Sequence, residues 1–194
     1  MAEPFANLDP VLYPTGHQVE AGGSAIAWSA IWGGTVAAIA ISLVLLALGS
    51  GFGLASVSPW PGVGAKASTF TIGAGLWLIV MQWLSSAVGG YIAGRTRTKW
   101  SGLHTDEVFF RDTVHGLIAW SLATIIVAGV AVATTSLASI GAPPVNPSVT
   151  PALADEARKA AAMISIFGGL SMLVGAFVAS AAAAIGGQLR DKHP

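Results

Sequence analysis

Four long intervals of this chain, residues 21–65, 67–94, 113–154 and 160–189, contain no Asp, Glu, Lys or Arg. Each is long enough for a helix of ~20 apolar residues, the length that crosses a hydrocarbon core of ~30 Å. The composition agrees: 54% of the 194 residues are hydrophobic and 9% are charged, where a soluble domain carries about a quarter charged. These features predict an all-α integral membrane protein, a four-helix bundle with spans at about 24–49, 69–94, 112–140 and 160–188. Ser24 is a plausible N-cap for the first span. Residues 1–22, with Pro4, Pro10 and Pro14, read as an extended tail before a transmembrane domain of 23–188, and residues 189–194 read as a short C-terminal tail. The N-terminus lacks the basic region and short apolar core of a signal peptide, so the first span is expected to be retained. Two connections are rich in turn-formers: the segment that begins Gly49-Ser50-Gly51-Phe52-Gly53, and the segment holding Pro143, Pro144 and Pro147. Thr150-Pro151 resembles a helix start beyond the second of these.

The charges that remain predict an orientation. Arg95, Arg97, Lys99, Arg111, Arg190 and Lys192 fall on one side, and Lys66, Arg158 and Lys159 on the other. The positive-inside rule therefore places both termini in the cytoplasm. Net charge is zero and there are no cysteines. A nucleic-acid partner is not expected, and thiolate metal sites, iron-sulfur clusters and disulfides are excluded.

Two halves of the chain resemble each other. Ile26-Ala27-Trp28-Ser29 recurs as Ile118-Ala119-Trp120-Ser121, and Ala87-Val88-Gly89-Gly90 recurs as Ala184-Ile185-Gly186-Gly187. With two spans per half, the repeat predicts two tandem helical hairpins inserted in the same orientation. Small residues recur every four positions: Ala30, Gly34, Ala38 and Ser42; Ser86, Gly90 and Gly94; Ser171, Gly175, Ala179, Ala183 and Gly187. Such rows let helix backbones approach closely in lipid, where no hydrophobic drive distinguishes a neighbouring helix from an acyl chain. Gly34, Gly90, Gly94, Gly175 and Gly187 are thus the expected packing residues.

The long polar stretch between the second and third spans runs from Arg95 to His115. Thr105 can cap a helix there, with Asp106 and Glu107 favouring its dipole. At ~100° per residue, His104, Glu107, Arg111, Asp112 and His115 share one face, expected to form an interfacial polar cluster or a docking site for a partner. Glu107 with Arg111, and Asp112 with His115, are spaced for local pairing. The two histidines lie ~16 Å apart along a helix at ~1.5 Å per residue, so one metal ion cannot take both, and no metal or cofactor is expected. Within the spans Gln82 and Thr124 are the candidates for lining a polar path.

Gly89-Gly90-Tyr91-Ile92-Ala93-Gly94-Arg95, a charged loop, and Asp112-Thr113-Val114-His115-Gly116-Leu117-Ile118-Ala119-Trp120 together resemble small four-helix bacterial membrane proteins labelled PhnA-like. The resemblance covers roughly residues 24–135. It implies a bacterial inner-membrane location and brings no catalytic residue. No nucleophile-base pair or ligand set argues for an enzyme. The leading expectation is a non-enzymatic protein acting as a self-assembling scaffold or as an accessory subunit of a larger membrane complex. The alternative is an oligomeric pore or facilitator for a small solute. The expected partners are the lipid bilayer and either copies of the chain or a larger membrane-protein complex.

Overall fold

The structure is a computed structural model that describes residues 24–58, 60, 63–100, 102–140 and 150–192. The N-terminal tail and the Pro143–Pro147 connection lie outside them. Four helices make up the fold: α1 (Trp28–Ser56), α2 (Ala67–Thr96), α3 (Thr105–Ile140) and α4 (Pro151–Lys192). All four are long and apolar enough to cross a membrane. Between Lys66 and Arg95, the charges bounding α2, the helix rises about 44 Å at ~1.5 Å per residue, matching a bilayer with its headgroups at ~40–45 Å.

The helix ends differ from the sequence expectation in two places. Ser24 accepts a bond from the Ile26 N–H at 3.3 Å and helix α1 starts at Trp28 with Ala27 as its cap residue. Helix α1 also continues through the glycine-rich segment expected to be a loop and ends at Ser56. Each glycine weakens a helix by ~1 kcal/mol, whereas an unsatisfied backbone group in an apolar medium costs several, so the helix persists. A glycine is needed at position 49 for a second reason. Trp77 lies where a Gly49 side chain would be, and its Nε1–H donates to the Leu45 carbonyl at 3.1 Å. In the connection to α2, Ala65 N–H donates to Ser56 O at 2.9 Å and Val57 pairs with Gly64. Gly64 supplies its left-handed φ of 108°.

The helices pack as two antiparallel hairpins. Gly34 of α1 meets the Gly89 carbonyl and Ala93 of α2, and Gly89 in turn meets Ala38. In the second hairpin Gly116 of α3 lies on Ala179 and Ala183 of α4. The hairpins join mainly through α2 and α4, which run parallel: Gly75 meets Phe167, Gly90 meets the Ala179 carbonyl and Gly94 meets the Ala183 carbonyl. Helices α1 and α3 also touch, as do α2 and α3, but α1 and α4 do not among the described residues. The cross-section is therefore a diamond with α2 and α3 on its short diagonal.

Packing is uneven along the bundle axis. Buried positions end at Ala38 in α1 and Ala123 in α3, and begin at Ser171 in α4. One end, where α1 and α3 begin and α2 and α4 finish, is closed around Ile31, Ala93 and Ala119. Toward the other end the helices splay, leaving large apolar side chains such as Leu54, Val132 and Leu137 more than 60% exposed. Hydroxyl groups on the exposed faces turn back onto their own helices, as Ser50 does to the Leu46 carbonyl and Ser121 to the Leu117 carbonyl, both at 2.8 Å. Back-bonding of this kind satisfies a polar group where no water is available.

Candidate functional site

The closed end holds a polar latch to which all four helices contribute. Its centre is Arg97, at the C-terminal cap of α2, and Asp112, two turns into α3, both almost fully buried. The guanidinium grips the carboxylate as a fork, Nε to Oδ1 and Nη2 to Oδ2, the latter at 2.6 Å. This planar, two-bond geometry is available to arginine and not to lysine. Asp112 reaches its place because Gly187 of α4 has no side chain to obstruct it. The indole of Trp100 covers the pair, with the Arg97 guanidinium 4.0 Å and the Arg111 guanidinium 5.1 Å from its ring centre, a cation-π arrangement on the loop side.

Two helix ends are closed from the opposite hairpin. Backbone N–H groups at the start of α1 have no partner within their own helix. His115 of α3 supplies one: its Nε2 accepts from the Ala27 N–H at 2.8 Å. That bond fixes the tautomer, because a nitrogen that accepts carries no proton. The proton is on Nδ1, which donates to the Arg111 carbonyl at 2.6 Å. At the end of α2, Arg190 of α4 donates through Nη1 to the Arg97 carbonyl at 3.0 Å and to the Thr98 carbonyl at 3.4 Å. A cation here also opposes the negative end of the helix dipole. Asp191 steadies Arg190, Oδ1 accepting from Nη2 at 2.6 Å.

The face that the sequence groups together is thus divided. Asp112 and His115 turn into the bundle, and neither pairs with the other. Asp112 pairs with Arg97, fifteen positions away, and His115 with α1. Glu107 and Arg111 form the expected i,i+4 pair at 2.6 Å on the outside, and His104 is exposed. Helical spacing places residues on an arc without saying which part of it a neighbour covers. Arg97, Trp100, Arg190 and Asp191 complete the latch. In the sequence Arg190 and Asp191 follow the Gly186-Gly187 pair by three and four positions, while Arg97 and Trp100 stand in the charged stretch after α2 with no local mark that sets them apart.

No family model, curated protein or solved structure matches this chain. The latch must be read from its own chemistry. Among the described residues no group of three or more His, Asp and Glu is placed to hold a metal ion. Asp112 and His115 are engaged with Arg97, Ala27 and Arg111, so the cluster joins helices. His115→Ala would strand the half-buried Ala27 N–H, and an orphaned donor costs up to about 1–3 kcal/mol. Thermal unfolding in mild detergent should show that loss, while Glu107→Gln on the exposed face should change stability by about 0.5 kcal/mol or less.

A second group of side chains lies midway along the bundle. Gln82, Ser85 and Ser86 of α2, Trp120 and Thr124 of α3 and Ser171 of α4 border a partly open cavity of about 270 Å³. The sequence puts forward Gln82 and Thr124 together, and the structure brings both to this one space. Gly175 allows it: a Cβ there would lie 2.6 Å from Gln82 Nε2 and 2.7 Å from Trp120 Nε1. The other expected packing glycines, Gly34, Gly90, Gly94 and Gly187, all sit in helix-helix contacts.

Proposed function

We propose that this chain is a non-enzymatic multi-pass protein of a bacterial inner membrane, working as a self-assembling scaffold or as an accessory subunit of a larger membrane complex. The bacterial location rests on the PhnA-like resemblance, and the cytoplasmic placing of the latch and both termini rests on the count of Lys and Arg. The observation that carries the reading is the contrast between the two ends. The latch and the glycine seams hold the closed half as one unit, while the splayed half opens an apolar groove of about 740 Å³ between α1 and α2. Phe52, Phe70, Trp77, Leu78, Met81 and Ile164 line this groove. Transmembrane helices associate through close packing, and a second copy or a partner's helix would fill the groove with side chains where the monomer offers only gaps.

Native mass spectrometry of the protein extracted from its own membranes in mild detergent tests the reading. The expected result is a fixed stoichiometry, either a homo-oligomer or a complex with a defined partner. A population of monomers alone would overturn it.

A second reading, an oligomeric facilitator for a small solute, is favoured by Gln82 and Thr124 sharing one cavity. It predicts solute flux in liposomes that changes in Gln82→Leu while the oligomer persists.

A further inference from the structure

The first turn of α1 is fastened to α3 through a titratable side chain. Ala27, the cap residue of α1, makes no side-chain capping bond, and its N–H donates to His115 Nε2 at 2.8 Å. The other ring nitrogen, Nδ1, is engaged with the Arg111 carbonyl at 2.6 Å. Both nitrogens of this fully buried ring are therefore committed, one as acceptor and one as donor. Only a neutral imidazole can do both. A second proton would go to Nε2, where the free lone pair is, and would turn that nitrogen into a donor facing the Ala27 N–H. Two donors cannot share a bond, so the protonated ring and the contact with α1 exclude each other.

The carboxylates of the latch are already taken. Asp112, three residues before His115, has both oxygens held by Arg97, Glu107 is paired with Arg111, and Asp191 with Arg190. The ring meets the charge of Arg97 from the end of α2, and those of Arg111 and Asp112 from its own helix. The Trp100 indole stands edge-on to it, with 5.5 Å between ring centres. Residues 24–56 of α1 and its approach carry no charge. From α4, Arg190 and Asp191 reach the cluster through the Arg97 carbonyl and guanidinium. An imidazolium at position 115 would thus join two guanidinium groups without a free anion to pair with. The contact that gives way is the one its proton has cancelled, the bond to Ala27.

The next contacts along α1 limit what is released. Ile31 packs on Ala93 and Ala119, Gly34 lies against Gly89 and Ala93, and Thr35 Oγ1 donates to the Ala119 carbonyl at 3.2 Å. These hold the helix from Ile31 onward whatever charge His115 carries. We propose that His115 is a proton-operated catch: neutral, it clasps the start of α1 to α3, and protonated, it frees residues 24–30 while the bundle stays folded. Local opening of the loop that carries Trp100 is enough to admit the proton. The catch requires only a folded monomer, so it stands or falls separately from any assembly.

The test is hydrogen exchange followed by mass spectrometry on the whole protein in lipid nanodiscs, from pH 8 to pH 5, about the interval in which imidazoles titrate. Labelling times are scaled to the intrinsic exchange rate at each pH. Because the bond needs the neutral ring, protection is lost toward acid: it should fall about tenfold in residues 24–30, the worth of one hydrogen bond, and hold in residues 34–46. In His115→Gln, whose amide oxygen accepts from Ala27 and takes up no proton in this interval, the fall should vanish. Nitrogen-15 NMR of the histidine rings reads the same event without any variant, and His115 should pass from the Nδ1–H tautomer to the doubly protonated form as the protection is lost. Protection of residues 24–30 that is unchanged at pH 5, a fall shared equally by residues 34–46, or a His115 ring that stays neutral throughout would overturn the proposal. So would a fall that persists in folded His115→Gln.

Discussion

Arg97→Met is expected to destabilise the protein by about 3–5 kcal/mol. The loss comes from what is left behind. Removing one member of a buried ion pair strands the other without water or counterion, and here the Asp112 carboxylate would remain almost fully enclosed with both oxygens deprived of the guanidinium that held them. Asp112→Asn, which keeps the shape and removes the charge, should cost a similar amount by stranding Arg97. The weak Arg97–Asp191 approach at 3.9 Å offers only partial relief. The double variant Arg97→Met/Asp112→Asn should recover at least half of the summed losses, because neither charge is then present. Denaturant or thermal unfolding in mild detergent gives the four stabilities, and the cycle formed from them gives the coupling between the two residues. Additive losses would mean that each side chain acts through separate contacts. A loss below about 1 kcal/mol for Arg97→Met would place the pair in the range of solvent-screened surface bridges.

The latch also marks the limit of what the sequence could disclose. Four spans were legible because lipid imposes a strict rule: a helix that crosses it needs a long run without charge, and each charge-free interval holds the apolar body of one helix, although α3 and α4 begin in charged sequence. The small-residue rows were legible for a related reason, since close backbone approach leaves few choices beyond Gly, Ala and Ser. Arg97 was not legible as a site residue. Its one-dimensional setting, a basic residue just beyond a span, is that of any positive-inside arginine, and only the fold turns it inward onto Asp112. His115 sits in the polar cluster that the sequence points to but has a different partner. Spacing along α3 suggested Asp112, but its acceptor nitrogen serves the start of α1, a contact between residues 88 positions apart. The cavity was half legible. Gln82 and Thr124 stand out as polar groups in apolar helices, whereas Trp120 is legible only as part of the repeated Ile118-Ala119-Trp120-Ser121 and Ser86 as one small residue in a packing row.

Two substitutions of the same kind in one helix should have opposite signs. Gly94→Ala in α2 would set a methyl group against the Ala183 backbone carbonyl of α4, and Gly90→Ala would do the same at Ala179. Neither obstacle is the end of a flexible side chain, so the two helices must move apart along their main seam, and overpacking of this sort costs about 1–3 kcal/mol. Gly73→Ala, nearer the splayed end of α2, meets nothing within 4 Å. There the alanine only improves helix propensity, and a gain of up to about 1 kcal/mol is expected. Gly129→Ala in α3 is equally unobstructed and should behave likewise. Unfolding measurements on the four variants read the result directly. Losses at Gly90 and Gly94 with gains at Gly73 and Gly129 would establish that α2 and α4 meet backbone to backbone in the membrane. Similar small gains at all four positions would mean that the helices sit farther apart, and the parallel seam joining the two hairpins would have to be abandoned. The latch depends on that seam, because Gly187 and Arg190 reach Asp112 and the end of α2 only when α4 lies against α2. Loosening the seam at Gly94, less than one turn from Arg97 along α2, should therefore weaken the coupling between Arg97 and Asp112 as well, and the same double-variant cycle repeated in a Gly94→Ala background would reveal it.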